Sequence, residues 1–211
     1  MLHREGYIHI HDLDAYGLTY NCLTFDLLKA FPYSIFTGLS DVKAILGVFD
    51  FLKELFERVG NEQSGGMALA NFDNDLASIF TALGIDYKGN EEIFRAAIRD
   101  LIIWCNNTHT RMGQTSYYIS FNIGLAENDF ARFLAFTLLD EFYHAGELIY
   151  KPNIIFKVAK GISRNTQDRN YDLLMKALEC TGKKMIPTYL LCDCEMDKDT
   201  SPELLSVMGC R

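Results

Sequence analysis

The chain is poor in proline, with four in 211 residues, and it has no low-complexity stretch, so nothing in it reads as a linker between domains. No apolar run approaches the roughly 18 residues that a bilayer crossing needs. The first seven residues lack the apolar core of a secretory signal. These omissions predict a cytoplasmic protein with no membrane partner. A basic balance is missing as well: 20 Lys and Arg stand against 28 Asp and Glu, a net charge of −8. That argues against a general nucleic-acid binder but leaves a local nucleotide pocket open. There is no internal repeat, no G-x-G-x-x-G and no P-loop pattern. Cys192-Asp193-Cys194 has no companion C-x-x-C, so a closed zinc site is not specified.

What is present suits a soluble globular fold. Apolar residues make up 49% and charged residues 23%, enough for one sizeable core or two small ones. The six cysteines, Cys22, Cys105, Cys180, Cys192, Cys194 and Cys210, read as reduced thiols in that compartment. Cys105 and Cys180 fall within helical patterns and read as small buried hydrophobes.

The apolar period changes repeatedly along the chain. Tyr7 to Leu13 alternates as a strand does. Asp41 to Val59 places Val42, Ile45, Leu46, Phe49, Leu52 and Phe56 at helical spacing, with Ser40 as N-cap. Helices are also predicted over Asn71–Leu83, over Glu91–Asn107 behind the cap Asn90, over Glu127–Gly146 with Phe130, Phe133, Leu134, Leu138 and Phe142 buried, and over Asp168–Cys180 through Tyr171, Leu174, Met175 and Leu178. Strands are predicted at Tyr117–Ile123, Ile154–Val158 and Thr188–Cys192, followed by loop over Asp193–Asp199 and a short helix at Pro202–Ser206. Strand, helix, strand, helix, strand in succession favours an α/β fold with a parallel sheet and crossover helices.

Five segments could carry chemistry. In His9-Ile10-His11-Asp12-Leu13-Asp14, residues two apart on a strand share a face. Two imidazoles there can ligate a metal, bind an anion or polar substrate, or simply hold the strand end. Asn21-Cys22 offers a thiol, and Gly60-Asn61-Glu62-Gln63-Ser64-Gly65-Gly66 is either a backbone cradle for a ligand or a helix cap, with Gly60 as the cap residue, and turn. In Thr108-His109-Thr110-Arg111-Met112-Gly113-Gln114, Arg111 either forks onto a carboxylate or phosphate or satisfies helix-end carbonyls. Met208-Gly209-Cys210-Arg211 permits a tight tip that presents a thiol.

In order, these segments resemble the anaerobic ribonucleotide reductases of the class III, glycyl-radical type. The resemblance rests on Gly6 to Asp14, Asn21-Cys22-Leu23, Asp26-Leu27, Asn61 to Gly66, Asn71-Phe72-Asp73, His109 to Gly113, Pro152 to Val158, Asn170 to Leu173 and Met208 to Arg211. It spans essentially the whole chain. It implies a ten-stranded α/β barrel made of two parallel five-stranded halves, with a finger loop inside. By motif match Cys210 is the radical cysteine at the loop tip, and Cys22 is the partner thiol on the first barrel strand. A C-terminal glycyl radical turns the tip thiol into a thiyl, which takes the 3′ hydrogen of a ribonucleoside triphosphate and eases loss of the 2′ hydroxyl. His9, His11, Asn21, Gln63, Ser64, Gly65 and Arg111 become substrate-binding candidates.

The resemblance also implies what residues 1–211 would not hold. They would form the first part of the catalytic barrel up to the finger-loop tip. The ATP cone, the zinc module (where the family's zinc sits) and the glycyl-radical loop would be missing, and the chain alone would be inactive. Its sheet would keep an unpaired edge and an exposed apolar face. Implied partners are an iron-sulfur, S-adenosylmethionine-dependent activase, allosteric nucleotides, formate or a thiol reductant, a homodimer mate packed near the helices at Asp41–Val59 and Glu91–Asn107, and a second chain completing the barrel. Alternatives are a non-catalytic nucleotide-binding remnant, a metal-binding domain using His9, His11, Cys192 and Cys194, and a glycyl-radical enzyme acting on another substrate.

Overall fold

The computed structural model describes residues 3–8, 20–63, 65–109 and 117–208. Five parallel strands follow one another across a single sheet in chain order: β1 (Leu23–Phe25), β2 (Met67–Leu69), β3 (Ile119–Ile123), β4 (Asn153–Val158) and β5 (Thr188–Leu191). Each pair is joined through helix, since parallel neighbours cannot be joined by a tight turn. The connecting helices are α1 (Leu27–Ala30), α2 (Tyr33–Phe36), α3 (Asp41–Gly60), α4 (Phe72–Ala82), α5 (Glu91–Asn107), α6 (Asp129–His144) and α7 (Tyr171–Lys184). When sequential strands lie side by side and every crossover has the same hand, all the helices fall on one face. The parallel sheet and its crossovers agree with the α/β reading. The described residues supply five strands of that architecture.

Strand alternation divides the sheet into two chemically different faces. One face presents Met67, Leu69, Ile119, Phe121, Ile123, Ile154, Phe156 and Val158 to the helices, in one apolar cluster with Ile45, Leu52, Phe56, Leu101, Leu138 and Phe142. Phe121 anchors the centre, stacked on Phe72 at 4.1 Å and 6.0 Å from Phe56. The other face carries Thr24, Ala68, Ser120, Asn122, Asn153, Ile155 and Lys157, by the same registers. Ser120, Asn122 and Lys157 are fully buried there. The expected exposed apolar face is therefore corrected: at its centre this face is polar, because its side chains bond to the backbone of the segment that crosses it.

Several helices bury a different stripe from the predicted one. In α3 the buried line runs Ala44, Ile45, Val48, Phe49, Leu52 and Phe56, while Val42 and Leu46 are exposed. In α7, Leu173, Ala177 and Cys180 are buried, and Met175 and Leu178 face outward. Two of these three buried positions carry small side chains, which a spacing argument built on large apolar residues passes over. Helix α5 spans the predicted Glu91–Asn107. Asn90 sits at its N-cap, but its side-chain amide donates to Asp41 and to the Asp86 carbonyl instead of capping. Gly60 is the last residue of α3 and not its cap; a Cβ there would collide with the Tyr117 ring. The predicted strand at Tyr7–Leu13 lies mostly outside the described residues, and Tyr7 and Ile8 are exposed and not in a strand. The short helix at Pro202–Ser206 is a 3-10 turn over Pro202–Leu204, and Glu195–Asp197 forms another within the predicted loop. Among the described residues no helix is long and apolar enough to cross a membrane.

Candidate functional site

The Asn21–Cys22 pair stands immediately before β1, and alternation puts Cys22 with Thr24 on the polar face. The glycine-rich turn before β2 runs beside it. Leu23 N donates to Gly66 O at 3.0 Å, and Tyr20 and Gln63 form a parallel bridge. The Cys22 sulfur accepts the Gly66 N–H at 3.4 Å, and its own S–H reaches Asn21 Oδ1 at 3.8 Å. The thiol is thus oriented by one donor and one acceptor, with no charged side chain touching it in these bonds. Gly65 makes the approach possible: a Cβ there would lie 2.6 Å from the sulfur and collide with the Asn21 carbonyl. The Gln63 amide donates to Gly65 O at 3.2 Å, which leaves Gln63 Oε1 buried with no partner among the described residues. The turn therefore acts as a cradle around the thiol and not merely as a helix exit.

The second component is the segment after β5, which runs back across the polar face. Asn122, next to last in β3, holds both backbone groups of Val207: its amide donates to Val207 O at 3.2 Å, and its Oδ1 accepts from Val207 N at 3.0 Å. The same amide donates to Leu69 O at 3.2 Å. Ser120 donates to the Met208 carbonyl. Near the far end of β4, the Lys157 ammonium donates to Pro202 O at 3.1 Å, Glu203 O at 3.4 Å and Asn71 Oδ1 at 3.2 Å, and Asn71 donates to Glu203 O at 3.1 Å. Burial pushes the Lys157 pKa down, opposed by the nearby Asp73, Asp75 and Glu203 charges. Each of these hydrogen bonds is made to the strap's backbone and none to its side chains.

Acids gather at the C-terminal end of the strands. Asp73 accepts the Gly124 N–H at 2.9 Å and the Asn74 N–H at 3.0 Å, yet burial pushes its carboxyl up to about 6. Asp75 is pushed to about 7, by burial first and then by the Asp73 and Asp26 charges. Asn170, buried in the Asn170–Leu173 motif, donates to the carbonyls of Gly124 and Ala126 and accepts from Arg132. That motif is a brace for the β3–α6 turn.

The structure brings Asn21, Cys22, Gln63 and Gly65 together. His9, His11, Ser64, Arg111 and Cys210 lie outside the described residues, and His109 is exposed. Of the remaining thiols, Cys105 and Cys180 are buried in helices, and burial pushes Cys180 to about 11 and Cys105 still higher. Cys192 is buried with its S–H toward Leu190 O at 3.7 Å, whereas Cys194 is exposed. Among the described residues no three His, Cys, Asp or Glu side chains group as a metal site would require. Sequence reading did not single out Ser120, Asn122, Lys157 or Asn71 as site candidates, although Asn71 and Lys157 fall within motifs of the resemblance. For the three strand residues the available signal was a polar residue at alternate positions of an otherwise apolar strand.

A sequence model described as anaerobic ribonucleoside-triphosphate reductase matches residues 1–211. Curated proteins named anaerobic ribonucleoside-triphosphate reductase are similar to the chain. Those of Escherichia coli (strain K12) and Salmonella typhimurium are each 26% identical over 235 residues, covering 99% of this chain and 33% of their own length. That of Enterobacteria phage T4 is 25% identical over 235 residues, covering 99% of this chain and 39% of its own. The chain spans about a third of the length of the curated relatives it matches.

Proposed function

From the premise that the chain belongs to the anaerobic ribonucleoside-triphosphate reductase family, we propose that it supplies the first half of a ten-stranded catalytic barrel, up to the finger-loop tip, in which Cys22 and Cys210 are the substrate-facing thiols. One observation carries the reading. The strap over Pro202–Met208 is hydrogen-bonded across the same polar face on which the cradled Cys22 thiol stands, and Cys210 follows Met208 by two residues.

The residues present fit radical chemistry at sulfur. A hydrogen-atom donor needs an oriented, neutral S–H within reach of substrate, and the Gly66 N–H and Asn21 Oδ1 orient one. The glycyl-radical segment, activated by an iron-sulfur, S-adenosylmethionine-dependent partner, supplies the unpaired electron. The Cys210 thiyl would take the 3′ hydrogen of a ribonucleoside triphosphate, the 2′ hydroxyl would leave as water with the proton of the 3′ hydroxyl, Cys22 would give a hydrogen atom to the 2′ carbon of the substrate radical, and the Cys210 thiol would return its hydrogen to the 3′ carbon, the two electrons coming from the reductant. Formate or a thiol protein is the final reductant. Asn21, with His9 and His11, hydrogen-bonds the departing hydroxyl or formate, and Gln63, Ser64, Gly65 and Arg111 hold the nucleotide. Allosteric nucleotides, a homodimer mate and a polypeptide completing the barrel belong to the same proposal.

The test is reconstituted turnover under anaerobic conditions, combining the chain with the polypeptide bearing the radical segment, the activase and a reductant. Cys22→Ala and Cys210→Ala are expected to abolish deoxyribonucleotide formation, and Cys105→Ala to leave it unchanged. Full turnover by Cys210→Ala sinks the reading.

A further inference from the structure

A second feature of the polar face is a cavity of about 170 Å³ at the N-terminal end of β3 and β4, lined by Tyr118, Ser120, Tyr150, Lys151, Asn153 and Met208. Its polar groups are unlike those around Lys157. The Lys151 ammonium lies 5.0 Å from the Tyr118 ring centre and 5.9 Å from that of Tyr150, and it makes no ion pair with any described residue. Burial alone moves its pKa, downward, with no carboxylate opposing. The Asn153 amide and the Tyr118 and Tyr150 hydroxyls make no hydrogen bond within the described residues. In a chain of net charge −8 this cavity has one cation, no acid in its lining and several uncommitted donors. The second cavity, of about 140 Å³, contains Asp73 and Glu203, and its lysine is already bonded.

The cavity is also placed to cooperate with the thiol. Leu23 N bonds to Gly66 O and Met67 N bonds to Tyr118 O, so Cys22, Gly66 and Tyr118 occupy one tier of adjacent strands. Ser120 faces Asn153 in register, which brings Lys151 to the Tyr118 tier. At about 4.8 Å per strand the backbone separation from Cys22 is on the order of 14 Å.

We propose that Lys151, with the Asn153 amide and the Tyr118 hydroxyl, forms an oxyanion site for the phosphates of a nucleotide whose sugar lies toward Cys22. This rests on the nucleotide-reductase reading and names a subsite for it. An ammonium held over two aromatic rings stays fixed and only partly hydrated, so a phosphate oxygen replaces water there at reduced cost.

The experiment is calorimetric titration of the 211-residue chain with a ribonucleoside triphosphate, and separately with inorganic phosphate. Saturable triphosphate binding is expected, weakened at least tenfold by Lys151→Gln, largely restored by Lys151→Arg and unaffected by Lys160→Gln, a surface change away from the cavity. Phosphate alone is expected to bind more weakly with the same dependence on Lys151; phosphate binding as tightly as the nucleotide would reduce the site to one for free phosphate and overturn the nucleotide assignment. Circular dichroism confirms that each variant is folded, and for a variant that is not, the comparison passes to Asn153→Ala, expected to weaken binding severalfold. Equal affinity of the folded Lys151→Gln and parent chains, or no saturable binding, overturns the site. The outcomes separate from the reductase reading: thiol-dependent turnover with no effect of Lys151 sinks only the subsite, whereas Lys151-dependent binding with turnover independent of Cys22 and Cys210 sinks only the reductase reading.

Discussion

A thiol that gives up a hydrogen atom must point one way and stay there, and Gly65 is what lets the Asn61–Gly66 turn come close enough to hold Cys22. Gly65→Ala must push the turn off Asn21, at a cost of about 1–3 kcal/mol from overpacking. The expected result is a lower melting temperature together with faster alkylation of Cys22, as its contact to Gly66 N–H opens. The acids near Lys157 make a second residue-scale case. The Asp75 pKa is raised from 3.8 to about 7 in the folded chain, mainly by burial and then by Asp73 and Asp26. Between those values the folded state binds more protons than the unfolded one, so this contribution to stability is fully present below about 4 and is lost as pH rises through 7. Asp140 runs the other way, since Arg95 and Lys176 hold its carboxyl below the usual range; the comparison must therefore be made between parent and variant. Asp75→Asn is expected to stabilise the chain by about 1–2 kcal/mol at pH 8 and by little at pH 4, as read from urea unfolding at both values.

At the scale of elements, the strap and the three central strands form one unit. Asn122 satisfies both backbone groups of Val207 and one carbonyl of β2. Asn122→Ala leaves these groups unpaired, at about 1–3 kcal/mol, and hydrogen exchange at the Val207 amide is expected to rise at least tenfold. Lys157→Met frees the carbonyls of Pro202 and Glu203, so a glutamate-specific protease is expected to cut at Glu203 faster while the α3 and α5 amides stay protected. Legibility in the sequence also divides at this scale. Helices α3, α5 and α6 were readable because a long amphipathic period is a local property of sequence. Strands β1 and β2 are three residues each, too short to show any period. Met67–Leu69 is a strand because β1 and β3 pair with it on both sides, which no window of sequence contains. Ser120 and Asn122 looked like interruptions of an apolar strand until the strap supplied partners for them.

At the scale of the whole molecule, one apolar cluster among the described residues runs from Leu27 to Cys180 and joins every crossover to the sheet. Beside it α5 and α6 are tied together by buried Glu141, which takes bonds from Arg95 and Arg99. A single core unfolds as one unit. The one tryptophan, Trp104, stacks on Tyr117 and lies against Phe56, at the junction of α3, α5 and β3. Its fluorescence and the far-UV circular dichroism are therefore expected to trace one coincident denaturation curve; separated curves would mean that the strap-bearing half of the sheet unfolds independently. The motif order, which spans the chain, carried the family resemblance from sequence, and the match over residues 1–211 agrees with it.

By itself the sequence determined where the long helices and the later strands fall, and which thiols stand beside glycine and asparagine. Those properties follow from local period and local chemistry. Only the tertiary structure decided that the face opposite the helices is polar at its centre, that Asn122, Ser120 and Lys157 clamp a returning backbone to it, and that Lys151 stands without a counter-charge among the described residues, in a cavity on the Cys22 tier. A buried donor, acceptor or cation takes its meaning from the partner it finds, and for each of these residues that partner, or its absence, is set by chain 45 to 88 residues away or by a neighbouring strand.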